Sequence, residues 1–197
     1  MVVNPSTAMV PTLAPLQLRE WLWSDPKQRV YAVAMGSRLP QFAERLATEL
    51  KAGRLQDFDC LLPGALSPLV RTKAPYLVQL KAQSGFSDWL LFEAAAALGE
   101  WGVLLRSEAT LMPLRAHARA LLQAHTPDGQ QITLDWMDPQ ILQALLPLFA
   151  PRELEAFMGP VSSWVLPGVP TWQVASVQLG KLDQRSFKLA LQPAGAA

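Results

Sequence analysis

From Val30 onward the chain alternates short apolar runs with longer amphipathic stretches, and this alternation constrains the fold more than any other feature. VYAVAM (Val30 to Met35) is apolar without interruption, as expected of a strand covered on both faces. GSRLP then turns the chain into LPQFAERLATEL, where Phe42, Leu46 and Leu50 recur at helical spacing. The unit recurs as FDCLL before SPLVRTKA, PYLVQL before FSDWLLFEAAAALG, WGVLL before TLMPLRAHARALLQAH, and ITLDW before PQILQALLPLF. Ser67, Ser87 and Thr110 read as helix N-caps and Gly99 as a helix stop. The series predicts an α/β fold, with mixed α+β as the alternative, in which a mixed sheet is flanked by helices.

After Phe149 the texture changes. PRELEAFMG reads as a short helix ending at Gly159, and in SSWVLPGVPTWQVASVQLG the residues Pro167, Gly168 and Pro170 punctuate β-prone segments. The expected organisation is a flexible leader over residues 1–15, a main domain over 16–150, and a C-terminal helix and hairpin annex over 151–197 with a frayed tail.

The stretch LDWMDPQIL (Leu134 to Leu142) sets two carboxylates beside a tryptophan, the sort of pair that catalyses glycoside hydrolysis. Its local pattern argues otherwise. TPDG (Thr126 to Gly129) signals a turn, and in the following QQITLDW the residues Ile132, Leu134 and Trp136 alternate with polar ones, which predicts a half-buried strand with Asp135 facing away from Trp136. Asp138 precedes Pro139 and a helical pattern, the place of an N-cap. The two acids therefore point apart.

Other chemistries fail on inventory. His117 and His125 lie more than two turns apart on one predicted helix, a spacing for core or cap histidines and not for a metal site. MGSRLP lacks the flanking glycines of a nucleophile elbow and the lysine of a phosphate-binding loop. Cys60, the single cysteine, sits in the apolar strand FDCLL and is expected to be buried and inert, which also fits a reducing, cytoplasmic setting. No cofactor is implied.

Lys+Arg 17 against Asp+Glu 16 leaves a net charge of +1, which provides no electrostatic footprint for nucleic acid or an anionic membrane surface. WLLFEAAAALGEWGVLL (Trp89 to Leu105) is the most apolar stretch, but Glu93, Gly99 and Glu100 break it well short of the ~20 residues of a membrane span. Membrane insertion is not expected. The seven tryptophans are numerous, and Trp21, Trp23, Trp164 and Trp172 stand out as candidate surface anchors.

Taken in order, YAVAMGSRLP, CLLPGALSPLVRTKAPYLVQL, WGVLLRSEATLMPLRAHARALLQAHTPDGQQITLDWMDPQILQALLP and LEAFMGPVSSW resemble one family over roughly Val30 to Leu166. The sharpest pieces are APYLV, GVLLRS, the turn PDG, the pair Asp138-Pro139, and FMGP. The chain is similar to the type VI secretion effector adaptor chaperones of the Tap or Tec type, catalogued as a domain of unknown function. That resemblance implies a non-enzymatic protein that binds a toxic effector and helps load it onto the valine-glycine-repeat spike. The rival from another class is a small hydrolase-like enzyme with its site at the carboxyl ends of the strands. Arg106 and Ser107 close the strand GVLLRS at that end, and Arg115 and Arg119 follow on the next helix. These four are the expected partner-binding edge, with Trp164 and Trp172 as further anchors.

Overall fold

VYAVAM folds as the two-faced strand that its unbroken hydrophobicity requires. In a computed structural model, which describes residues 10–125 and 128–190, it forms β2 (Arg29–Met35), and every residue from Val30 to Met35 is buried. Its even-numbered residues Val30, Ala32 and Ala34 enter one core layer, and Tyr31, Val33 and Met35 the other. Around it stand β3 (Asp57–Cys60), β4 (Pro75–Gln79), β5 (Gly102–Ser107), β8 (Val161–Leu166), β9 (Thr171–Gln178) and β10 (Lys181–Leu189). With β1 (Thr12–Leu13) they make an eight-stranded sheet of order β1-β10-β9-β8-β5-β2-β4-β3. The fold is mixed α+β.

Each face carries helices. On the first lie α1 (Pro15–Leu22), through Leu18 and Leu22, and α2 (Phe42–Lys51), through Phe42 and Leu46. The same face takes the segment α4 (Gly85–Asp88), a π-helical stretch Trp89–Ala94, and α5 (Ala95–Leu98). On the second lie α6 (Leu111–Ala120), α7 (Pro139–Leu145) and α8 (Pro151–Met158). Among the described helices only α3 (Pro68–Lys73) buries none of its residues.

The sheet is mixed, as expected. Hydrogen-bonded neighbours are antiparallel except β1 with β10, but β2 and β3, joined by α2, both pair antiparallel with β4 and so run parallel to each other, and β4 and β5 flank β2 in the same way. Several local expectations are corrected. The helix from Leu111 stops at Ala120, and Gln123–His125 (β6) pairs instead with Gln131–Thr133 (β7) in a separate two-stranded ribbon. ITLDW is thus not a sheet strand: Ile132 is exposed, while Trp136 reaches the core from a turn. Ser87 lies within its helix, donating to the Lys81 carbonyl, because Ser84 caps one turn earlier. Leu13, at the end of the expected leader, pairs with β10, and the C-terminal hairpin continues the main sheet through β8 and β5. The leader before Val10, Thr126 and Pro127 of the expected turn, and the tail from Leu191 lie outside the described residues.

Asp138 is the N-cap of α7. One carboxylate oxygen accepts from the backbone N–H groups of Gln140 (2.8 Å) and Ile141 (3.3 Å), and the other accepts from the Arg38 guanidinium. Arg38 also donates to the Glu100 carbonyl, so one side chain ties the turn after β2 to the helices of both layers. Burial pushes the Asp138 pKa up, but the bonds from Arg38, Gln140 and Ile141 outweigh it and hold the carboxyl below its ordinary value. The resulting stabilisation is complete above the unfolded-state pKa near 3.9 and is lost as pH falls through the lower folded-state value. Asp138→Ala should cost about 1–3 kcal/mol at neutral pH. Urea denaturation at several pH values should show the gap to wild type closing below about pH 4.

Candidate functional site

The residues expected at one partner-binding edge are dispersed. Ser107 is wholly buried, its hydroxyl donating to the Pro160 carbonyl (2.6 Å) and accepting from the Ala109 N–H (3.0 Å). Arg115 is half-buried against Asp59. Arg119, also half-buried, donates to the carbonyls of Cys60 (2.8 Å), Leu61 (3.0 Å) and Leu62 (3.1 Å), clamping the end of β3. Arg115 and Arg119 therefore do not stand free on the surface of their helix: both are engaged by β3 and the residues after it. Trp164 and Trp172 are core residues, the first packed on Trp136 and Phe157 and the second on Phe187, so neither is a surface anchor as it stands.

Arg106 alone leads to a different place. On the first face of the sheet the inward positions of β9 run Trp172, Val174, Ser176, Gln178, and those of β10 opposite them run Phe187, Arg185, Asp183. Both strands pass from apolar to polar toward their hairpin, and the core ends where they do. Arg106, Ser163, Ser176 and Asp183 are successive cross-strand partners on β5, β8, β9 and β10, which makes a polar row across four strands. Ser162 is an extra residue in a bulge between β5 and β8, where Arg106 faces Ser163 but Ser107 faces Val161.

Above this row lies a cleft of about 460 Å³, walled by Trp21 of α1, by Asp25 and Gln28 of the following turn, and by Leu13 and Phe187. Three buried polar atoms of its lining have no hydrogen-bond partner among the described residues: Arg106 Nε, Ser163 Oγ and Gln28 Oε1. The Arg106 guanidinium sits 5.1 Å from the Trp21 ring centroid and makes one bond of 3.3 Å to Ser24 Oγ, but no ion pair among the described residues. Burial holds its pKa below the ordinary value, with Asp25 partly offsetting this, yet a guanidinium stays charged. Asp183 and Arg185 at the rim pair with each other (3.1 Å).

A larger cavity of about 610 Å³ beside β3 is lined by Asp59, Cys60, Tyr76 and Arg119. Asp59 and Arg119 there are bonded as described and Tyr76 donates to the Arg71 carbonyl (2.8 Å), while Arg71 itself is exposed. Cys60 there is half-buried rather than buried, and burial raises its thiol pKa. Among the described residues no three of His, Cys, Asp and Glu are grouped to hold a metal. His117 Nε2 instead lies 3.0 Å from the Phe157 carbonyl oxygen, while the side chain of His125 is outside the description. Among the described residues no helix is long and apolar enough to cross a membrane.

A family model, Domain of unknown function (DUF4123), matches residues 30–156. The chain belongs to the DUF4123 family. Neither the curated proteins nor the solved structures contain a match to it. The family segment includes Arg106, whereas Ser163, Ser176 and Asp183 come from strands that follow it. Two of the pieces that carried the resemblance are close backbone approaches. A Cβ on Gly102 would lie 2.0 Å from the Val33 carbonyl oxygen, and one on Gly159, which has φ of 48°, would lie 2.4 Å from the His117 ring.

The hydrogen bonding separates the two arginines of α6. Arg119→Ala, which frees three carbonyls, should cost about 1.5–3 kcal/mol, whereas Arg115→Ala should cost under about 1 kcal/mol. Chemical denaturation of the two variants checks this order. Ser163→Ala removes a hydroxyl that bonds to no described residue and should leave stability unchanged or slightly raised.

Proposed function

We propose that this protein is a non-enzymatic adaptor of type VI secretion, which binds an effector toxin in the cytoplasm of the producing cell and helps load it onto the valine-glycine-repeat spike. The observation that carries the reading is the family match over residues 30–156, the segment in which the sequence resembles effector adaptors. The cleft suits an adaptor. Its ionisable side chains are Asp25, Arg106, Asp183 and Arg185, with two of them paired to each other, and it is walled by tryptophan and phenylalanine. Arginine and aromatic residues at a partly desolvated concavity are the usual anchors of protein recognition.

The test is capture and export in the cell that produces the protein. Affinity-tagged protein should co-purify with a toxin and with the spike, and deleting its gene should abolish release of that toxin while other spike-borne toxins are still released. A deletion strain that exports every toxin normally, together with a tagged protein that recovers neither partner, would reject the adaptor reading.

A further inference from the structure

We infer that the cleft over the Arg106–Ser163–Ser176–Asp183 row receives an extended polypeptide segment, with a carboxylate of that segment meeting Arg106 and a neighbouring apolar side chain packing between Trp21 and Phe187. The site stands on the geometry alone; that the segment belongs to the effector rests on the adaptor reading.

Three features select this ligand. The first is the charge. Arg106 is the cation of the lining without an ion pair, its Nε–H is unbonded, and its one side-chain bond is a long one to a hydroxyl. A carboxylate would supply charge-assisted bonds that the fold leaves unmade. Phosphate chemistry is disfavoured, because Asp25 and Asp183 set as many acids in the lining as Arg106 and Arg185 set bases.

The second feature is the floor. Ser163, 94% buried by its 6% exposure, offers an unpartnered hydroxyl, and Ser176 stands beside it on the next strand. Hydroxyls both donate and accept, as does the side-chain amide of Gln28, so the lining can answer the alternating N–H and C=O of a backbone. The third is length. Four strands span about 14 Å at the usual spacing, room for roughly four extended residues. A carboxylate could come from an Asp or Glu side chain or from a chain terminus; the recognised chemistry is the same.

The experiment titrates the purified, isotopically labelled protein with tetrapeptides and follows amide and indole resonances. Acetyl-Gly-Leu-Asp-Gly-amide tests the side-chain source. Acetyl-Gly-Leu-Asn-Gly with a free carboxyl end tests the terminus, and the same Asn peptide amidated is the neutral control. At least one carboxylate peptide should shift Arg106, Ser163, Ser176 and the Trp21 indole, and bind at least tenfold more tightly than the control. Arg106→Gln should erase that difference. Ser176→Phe, which fills the cleft and leaves Arg106 in place, should abolish binding of all three peptides while the far side of the sheet keeps its spectrum. Equal binding of all three peptides, shifts confined to other surfaces, or tighter binding of inorganic phosphate than of any peptide would overturn the inference. So would a concentration-dependent dimer that occupies the cleft without peptide. Should Arg106→Gln and Ser176→Phe both still recover the toxin from cells, the adaptor reading stands and the cleft inference falls.

Discussion

Burial of the central strands on both faces is the constraint from which the rest of this structure follows. β2 and β5 contribute apolar side chains in both directions, so neither can be stable until a helical layer closes each side. At about 25 cal/mol per Å² of apolar surface, each fully buried Val or Leu contributes about 1.5–3 kcal/mol relative to exposure, and no single helix covers enough of them. The layers must also be held in register. Arg38 does part of this from the turn after β2, donating to Glu100 behind the first layer and to Asp138 at the start of the second.

Much of this was legible in residue patterns. VYAVAM and the apolar runs at the heads of PYLVQL and GVLLRS identify their strands because such a run, bounded by turn signals, fits a strand buried on both faces, and Asp138-Pro139 identifies a helix start because both residues favour that geometry. Strand order was not legible. A strand, a helix and a second strand leave open whether the two strands become neighbours or take a third between them, and only the folded sheet places β4 between β2 and β3 and β2 between β4 and β5. The failure at ITLDW has a similar origin: alternation over a few residues also fits a ribbon whose strands never join the main sheet, and Trp136 finds the core from a turn.

The dispersal of the predicted arginine edge shows how little helical spacing says about exposure. Arg115 and Arg119 lie off the apolar stripe of α6, yet β3 runs past them and takes up their hydrogen bonds. Arg106 carried a stronger signal than its place at the end of a strand. It is in phase with Leu104, whose side chain enters the first core layer, so it occupies an inward position in a strand covered on both faces. Ser163 in phase with Val165, and Ser176 in phase with Val174, repeat the pattern on neighbouring strands. Reading them as one row requires the register, which only the folded sheet supplies.

That row works against stability. A half-buried guanidinium without an ion pair and a buried hydroxyl without a partner each carry a desolvation cost that leucine or valine in the same phase would not. A sheet selected for stability alone would extend the apolar face of Trp172, Val174 and Phe187 up to the hairpin and draw a helix over it. Here α1 and its following turn meet the face with Trp21, Asp25 and Gln28, and a cleft remains. Local rules broken in one place, on four adjoining strands, mark a candidate site whose buried polar atoms no described residue satisfies. Under the adaptor reading, the toxin supplies the segment that satisfies them.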